Sequence, residues 1–246
     1  MRVFRLVAFV FLLLLPVTAQ AEKRIALVIG NGAYESAPLA NPVNDARLMA
    51  RTLRKLDFEV LEHLDLGQKE MKRAIRDFSQ KMDDYGEDAI GLIYYAGHGL
   101  QVDGENYLIP VDAQIRNEAD VDIEGIRASS LLKSLRYARN SFNMVVLDAC
   151  RNNPYARSFR SAGNGLARMD APQGTLLAYS TSPGNVASDG SGKYSPYTQA
   201  LARAMTAPGL KVEEVFKKAR VSVMERTGDE QVPWESSSLT GDFFFS

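Results

Sequence analysis

Apolar positions along the chain fall into two recurring patterns, short continuous runs and stripes spaced three or four residues apart. The runs predict buried strands, and they lie at residues 24–30, 89–96, 142–147 and 174–179, while a further strand fits residues 57–64. The stripes predict core-facing helices. The first is expected to start at Asn41-Pro42, which offers a cap residue followed by proline at the first helical position. A second carries Met71 to Met82, a third starts at Ser129 or Ser130, and two more lie near 197–206 and 211–226. Because strands alternate with helices, the pattern predicts one α/β domain with a mostly parallel sheet flanked by helices.

Three other segments depart from this alternation. Residues 100–110 predict a hairpin that turns at Asp103-Gly104. Residues 151–173 are polar, contain four arginines and lack periodicity, which predicts an exposed loop, and the Gly/Ser/Asp-rich stretch 182–195 predicts a second. A last extended segment contains Trp234.

The first 21 residues predict an export signal. Arg2 and Arg5 precede an apolar run over 6–15, and Ala19-Gln20-Ala21 follows it. A basic start, an apolar stretch and a small-x-small ending are typical of a secretory signal peptide, and the run is shorter than the roughly 20 residues that span a bilayer. An uncleaved membrane anchor is the alternative. We therefore expect residues 22–246 to work in a bacterial periplasm or as a secreted protein, with no membrane contact after the signal is removed.

Composition narrows the class of protein. The 246 residues are 46% hydrophobic and 24% charged, which is ordinary for a globular chain. A formal net charge of -1 lacks the basic excess that nucleic-acid binding needs. The single cysteine, Cys150, excludes an internal disulfide, and the two histidines, His63 and His98, are few candidates for a general base.

Cys150 and His98 carry the strongest chemical signal, because each follows the carboxyl end of a predicted strand. In an open parallel sheet the ligand crevice forms at that edge, so two such residues can lie side by side. A nearby imidazole favours the reactive thiolate, whereas a lone cysteine after a strand is more often a small buried hydrophobe. The backbone N–H groups of Gly99 and Cys150 are candidate oxyanion donors. His63 is expected to be a solvated surface residue.

The residues around this pair resemble a known family. Residues 94–99 (Tyr-Tyr-Ala-Gly-His-Gly) and 148–151 (Asp-Ala-Cys-Arg) resemble the two catalytic motifs of caspase-like cysteine peptidases, in which the histidine precedes the cysteine by about 50 residues. Similar segments at 25–34, 42–46, 179–181 and 195–198 extend the resemblance over nearly all of the chain after residue 21. The resemblance implies a caspase-like three-layer α/β fold for residues 22–246. Asp148 and Asn152 replace the Gln and Gly of the caspase signature, which favours the metacaspase-like branch, including its bacterial members.

The resemblance also implies a substrate preference. Metacaspase-like members that have Asp two residues before the cysteine, and a second Asp after the first strand, cleave after Arg or Lys. Asp148 and Asp45 match those positions. Carboxylates in a partly desolvated pocket attract a cationic P1 side chain and repel an aspartate. Ala96 stands where several metacaspases have Ser, so one polar contact of the pocket is expected to be missing.

We therefore expect a cysteine endopeptidase that acts on protein or peptide substrates, with Cys150 forming the acyl-enzyme and His98 transferring the protons. Self-cleavage after Arg157, Arg160 or Arg168 in the polar loop is a further hypothesis. We expect no cofactor and no metal site. Calcium activation is common among metacaspases and stays open here, although the chain contains no EF-hand spacing.

Two other classes of function stay open. The first is a catalytically silent caspase homologue that acts as a binding or scaffold module, against which the presence of both dyad residues weighs. The second is a hydrolase of the same fold that acts on a different acyl bond.

Overall fold

A mostly parallel sheet runs through the computed structural model, which describes residues 22–137, 140–149 and 165–246. The strands are β1 (Arg24–Gly30), β2 (Phe58–Leu64), β3 (Ile90–Ala96), β4 (Gly99–Val102), β5 (Glu105–Leu108), β6 (Ile126–Arg127), β7 (Phe142–Asp148), β8 (Thr175–Tyr179) and β9 (Trp234–Ser237). Six of them form the main sheet in the order β2-β1-β3-β7-β8-β9, in which β9 alone is antiparallel to its neighbour. The strands β4, β5 and β6 form a small antiparallel sheet beside it.

Helices cover both faces of the main sheet. They are α1 (Pro42–Lys55), α2 (Gln68–Tyr85), α3 (Glu118–Glu124), α4 (Ala128–Tyr137), α5 (Pro196–Met205) and α6 (Val212–Thr227). The apolar stripes of α1, α5 and α6 pack on one face, and those of α2 and α4 pack on the other. This arrangement confirms the predicted three-layer α/β fold.

The central strand β3 illustrates why the apolar runs are continuous. Its side chains alternate between the two faces, so that Leu92 and Tyr94 join one core while Ile93 and Tyr95 join the other. All seven residues of β3 are buried, because helices cover the sheet on both sides.

The small sheet is where sequence and structure differ most. The hairpin of β4 and β5 turns at Asp103-Gly104 as predicted, and both residues have positive φ values of 51° and 80°, which suit a two-residue turn. Helix α3 and strand β6 were not predicted, because both are short and largely polar. Helix α4 begins at Ala128 and not at Ser129 or Ser130, since β6 leads directly into it.

Two predicted features fall partly outside this description. Residues 1–21, which carry the predicted signal peptide, lie outside the described residues, as do residues 150–164. Residues 165–173, the remaining part of the predicted polar loop, form neither helix nor strand. Within residues 22–137, 140–149 and 165–246, no helix is long and apolar enough to cross a membrane.

Candidate active site

The carboxyl ends of β1 and β3 meet near the centre of the main sheet. From β1 the chain leads into α1 on one face, whereas from β3 it leads through the small sheet to α4 on the other face. Diverging connections of this kind open a crevice at the carboxyl edge of a parallel sheet. His98 lies there, two residues after β3, and only 3% of its surface is exposed.

A hydrogen bond and a ring contact from the loop after β1 orient the imidazole of His98. Its Nε2 lies 2.8 Å from the carbonyl oxygen of Ala37. Because a carbonyl only accepts, Nε2 must carry the proton, and the lone pair of the neutral ring is then on Nδ1. The ring of Tyr34 packs against the imidazole, with 4.5 Å between ring centroids and 56° between planes. A proton acceptor is thus fixed at Nδ1.

The loop that supplies Tyr34 and Ala37 is itself anchored to the end of β2. One carboxylate oxygen of Asp65 accepts the N–H groups of Gly32 and Ala33, at 2.8 and 2.9 Å. Asn31, which is fully buried, accepts from the N–H of Leu66 at 3.0 Å and donates to its carbonyl at 3.2 Å. These bonds turn a loop without helix or strand into a rigid support for His98.

The neighbouring strand β7 brings residue 149 against the histidine segment. Asp148 pairs with Ala96 in the sheet register, and the N–H of Gly97 continues the pairing with a bond to the Asp148 carbonyl of 3.4 Å. A Cβ placed on Gly99 would lie 2.6 Å from the carbonyl oxygen of Ala149, so only glycine allows this approach. Cys150, the predicted nucleophile, lies outside the described residues.

The two predicted pocket residues, Asp45 and Asp148, are fully buried and converge on Ser195. The Ser195 N–H donates to Asp45 Oδ1 at 2.9 Å, and the Ser195 hydroxyl donates to Asp148 Oδ2 at 2.5 Å. The Thr198 hydroxyl donates to the same Asp148 oxygen at 2.9 Å, and the phenol of Tyr94 hydrogen bonds to Thr198 in turn. One serine therefore connects two carboxylates from distant parts of the sequence.

The loop 182–195 is tied to the start of α1. Asp189 Oδ2 accepts the N–H groups of Ala40 and Asn41, at 3.2 and 3.3 Å. Asn41 was expected to cap α1, but its side chain makes no capping bond and donates to the Asp189 carbonyl at 2.5 Å. The prediction of the helix start was therefore correct, and the role expected for Asn41 was wrong.

The remaining candidates lie away from this crevice or outside the description. His63 lies on β2 and is half-buried, so the expectation of a fully solvated residue was wrong. Burial lowers the pKa of His63, and the negative charge of Asp77 partly opposes that shift. Arg157 and Arg160 lie outside the described residues, whereas Arg168 has an exposed guanidinium. In the described part of the chain, no group of three or more His, Cys, Asp or Glu side chains could hold a metal ion.

Sequence reasoning missed the residues that support the candidate site. Tyr34, Ser195 and Thr198 lie in segments that resemble the family, but no role was predicted for them. A signal was available at Ser195-Pro196, because serine followed by proline is typical of a helix start. Ser195 does cap α5, where its hydroxyl oxygen accepts the Thr198 N–H at 3.0 Å.

Comparison with known proteins identifies the domain. The family model of the caspase domain matches residues 23–244. The chain belongs to the caspase-domain family. Caspase domains are domains of cysteine peptidases, so residues 23–244 form a domain of cysteine-peptidase type.

Two relatives illustrate how far this caspase-domain similarity extends. The human mucosa-associated lymphoid tissue lymphoma translocation protein 1 is 36% identical over 134 residues, which are 53% of this chain and 15% of that protein. Caspase a of Danio rerio is 26% identical over 146 residues, which are 58% of this chain and 37% of the relative. The matched segment thus spans well under half the length of either relative.

Proposed function

We propose that the chain is a cysteine endopeptidase that uses Cys150 as the nucleophile and His98 as the proton carrier. The observation that supports this most is the register of β3 and β7, in which Ala96 pairs with Asp148. His98 follows Ala96 by two residues and Cys150 follows Asp148 by two. The contact of Gly99 with Ala149 brings the two segments together one residue before Cys150.

The proposed reaction passes through a thioester. The Cys150 thiol gives its proton to Nδ1 of His98 as the sulfur attacks the scissile carbonyl carbon, and the C–N bond breaks as His98 delivers that proton to the departing amine. Water then attacks the thioester carbon and gives a proton to His98, and the C–S bond breaks to release the thiolate and the carboxylic acid product. The Nε2–H bond to Ala37 suits this role, because it leaves Nδ1 as the nitrogen that accepts and returns the proton.

The backbone N–H groups of Gly99 and Cys150 are the proposed oxyanion donors. The backbone carbonyl of His98 accepts the Ile109 N–H at 3.1 Å, and Gly99 pairs with Leu108 in the next position of the antiparallel ladder of β4 and β5. Hydrogen-bonded and non-hydrogen-bonded pairs alternate in an antiparallel ladder. The Gly99 N–H is therefore directed away from β5, which supports its use by a substrate oxyanion.

The proposed P1 preference is for Arg or Lys, through Asp45 and Asp148. The donors described above are a backbone amide and two hydroxyls, which suit carboxylates that only accept hydrogen bonds. Their complete burial strengthens the attraction for a cationic side chain, because the local dielectric constant is low. The substrates would accordingly be proteins or peptides with accessible basic residues.

A substrate panel tests this function against both alternatives. Residues 22–246 would be incubated with fluorogenic peptides and matched esters that carry Arg, Lys or Asp at P1, beside a Cys150→Ser protein. We expect cleavage of the Arg and Lys peptides that the variant lacks. Cleavage of esters alone would indicate a different acyl bond. No turnover of any substrate would favour the silent binding or scaffold module.

We propose that self-cleavage follows Arg157 or Arg160 and not Arg168. The backbone next to Arg168 is held in place: Asn106 bonds to both the N–H and the carbonyl of Ala167 at 2.7 Å, and Tyr179 accepts the Met169 N–H at 3.1 Å. A peptidase needs an extended segment of chain in its cleft, and releasing this one would break these bonds. Intact mass after incubation, compared between the active protein and the Cys150→Ser variant, would locate the cut.

Three further features of the proposal come from the sequence. We place the chain in the metacaspase-like branch, exported after removal of residues 1–21 and active without a bound cofactor. N-terminal sequencing of the protein from a bacterial periplasm tests the export, with Glu22 as the expected first residue. Repeating the substrate panel with calcium and with a chelator tests the cofactor, because a rate that needs calcium would contradict that part.

A further inference from the structure

Two buried phenols hold the main chain of His98 from opposite sides. The Tyr34 hydroxyl oxygen accepts the His98 N–H at 2.9 Å, and the Tyr95 hydroxyl donates to the His98 carbonyl at 2.9 Å. The two hydroxyls are 3.2 Å apart, and each also lies 3.0 Å from the carbonyl of Ile109. Because His98 lies beyond the end of β3, these two side chains supply hydrogen bonds to its backbone N–H and carbonyl, as a neighbouring strand does inside a sheet.

Gly97 shows how tightly this arrangement is built. A Cβ at position 97 would lie 2.6 Å from the hydroxyl oxygens of both Tyr34 and Tyr95. Any larger residue would therefore push the phenols away from His98. Gly97 therefore leaves the space that the two hydroxyls occupy, in addition to allowing the turn before His98.

The phenol of Tyr95 also keeps its proton at neutral pH. Burial, together with the adjacent phenol of Tyr34, raises the pKa of Tyr95 well above its ordinary value. Tyr95 therefore stays a neutral donor at neutral pH, and its hydrogen bond to the His98 carbonyl does not depend on pH there.

Tyr34 contributes at two further points. Its ring packs on the imidazole, and Ala37, three residues later in the same loop, accepts the Nε2–H bond. Main chain, ring face and ring nitrogen of His98 are thus all defined by the segment from Tyr34 to Ala37. A displacement of about 1 Å at a reacting group can cost a factor of about 100 in rate, so support of this kind has kinetic consequences.

We propose that Tyr34 is a positioning residue for His98, assisted by Tyr95, and that its hydroxyl keeps the imidazole oriented toward the Ala37 carbonyl, which sets the Nε2–H tautomer needed for proton transfer. The kinetic part of this inference rests on the proposed peptidase function. The structural part concerns the state of His98 itself and can be measured without turnover.

The kinetic test compares three single-atom deletions. Tyr34→Phe removes the oxygen that accepts the His98 N–H and keeps the ring contact. We expect kcat for a P1-Arg peptide to fall by about 10-fold with KM changed by less than about 2-fold, because orientation is lost and substrate contacts are kept. Tyr95→Phe is expected to act in the same direction. Tyr107→Phe is the matched control, since this buried phenol donates to Asp122 at 3.0 Å and should leave kcat unchanged.

The second test reads the tautomer directly. Nitrogen NMR at about pH 8, where an ordinary histidine is neutral, gives separate signals for two histidines, and His63 serves as the internal reference. We expect His98 to be almost entirely the Nε2–H tautomer in the unmodified protein and a mixture in Tyr34→Phe, with His63 unaffected.

The outcomes separate the two claims. If no peptide is cleaved by the unmodified protein, the proposed function fails, and the tautomer measurement still decides the role of Tyr34. If Tyr34→Phe keeps both the kcat and the His98 tautomer, the inference is wrong. If Tyr34→Phe does not fold, Tyr95→Phe decides by the same two readouts, and an unchanged kcat and tautomer there would contradict the proposal.

Discussion

The two ends of the central strands bury very different side chains. At the amino end, Phe243 and Phe245 are each 3% exposed and pack on Phe58, with 4.9 Å between the centroids of Phe243 and Phe245. The guanidinium of Arg24 lies 4.9 Å from the Phe243 ring and donates to the Phe245 carbonyl at 3.1 Å. The carboxyl end instead has a set of buried polar side chains: Asn31, Asp45, His98, Asp148, Ser195 and Thr198.

This difference supports the proposed division, in which the amino end contributes stability and the carboxyl end contains the active site. Burying aromatic rings lowers the free energy of the folded state at little cost, whereas burying a carboxylate or an imidazole costs free energy unless hydrogen bonds replace its water. The carboxyl end replaces those bonds with hydroxyls, phenols and backbone groups. Such concentrations of buried polar groups are typical of functional sites.

Replacing His98 at the carboxyl end should change activity more than any other substitution considered. His98→Gln should lower kcat for a P1-Arg peptide by about 1000-fold, because general acid–base catalysis contributes about 100- to 10,000-fold. His63→Gln is the matched control, since His63 lies on β2 away from the crevice, and should change kcat by less than about 2-fold. Steady-state hydrolysis of both variants decides the point, and equal losses would contradict the assignment of His98.

A substitution in the aromatic cluster at the amino end should lower stability without changing activity. Phe243→Ala should lower the free energy of unfolding by about 3–5 kcal/mol, because it leaves a cavity among packed rings, while kcat per folded molecule stays the same. The neighbouring Phe244 is 41% exposed, so Phe244→Ala should cost well under half as much. Urea unfolding measures both. A fall in kcat for folded Phe243→Ala would show that the two ends are not separable.

A smaller effect on activity is expected from removing the charge of Asp148. Asp148→Asn keeps a side chain of the same size and removes its charge. We expect kcat/KM for a P1-Arg peptide to fall about 100-fold and that for the neutral isostere citrulline to change little, since only the ionic attraction is lost. Asp170→Asn is the control, because its carboxylate is exposed in the loop 165–173. Equal losses on both peptides would contradict a charge-recognition role.

The smallest effect concerns pH and His63. Burial lowers the pKa of His63 in the folded state, so the unfolded chain, with an ordinary value of about 6.5, binds its proton first as the pH falls. The folded state therefore loses stability as the pH drops below that value and through the lower, folded pKa. In His63→Gln this contribution is absent, and the fall in Tm between about pH 7 and pH 5 should be smaller by about 2 °C or less.

The sequence predicted the main sheet better than the supports of the site. The strands β1, β3, β7 and β8 are continuous apolar runs because helices cover both faces, and that cause is visible in the pattern itself. The position of His98 just after β3 and that of Asp148 at the end of β7 followed from the same pattern. The small sheet was only half predicted, since β6 has two residues and α3 is mostly polar.

The supporting residues could not be predicted for a physical reason. Tyr34, Ala37 and Ser195 act through contacts between loops that are distant in sequence, such as the 2.9 Å bond from the Ser195 N–H to Asp45, 150 positions away. Hydrophobic periodicity carries no information about such bonds. The carbonyl of Ala37 is a backbone group, so the residue type gives no signal at all.

Active-site labelling shows whether His98 and Cys150 act as one reactive pair. A peptide with P1 Arg and a thiol-reactive ketone at its end would be reacted with the unmodified protein and with His98→Gln, and the labelled residue located by mass spectrometry. Because the chain has a single cysteine, every modified thiol is Cys150. We expect one label per molecule, formed at least about 100-fold more slowly in His98→Gln. Equal labelling rates in the two proteins would contradict the pair.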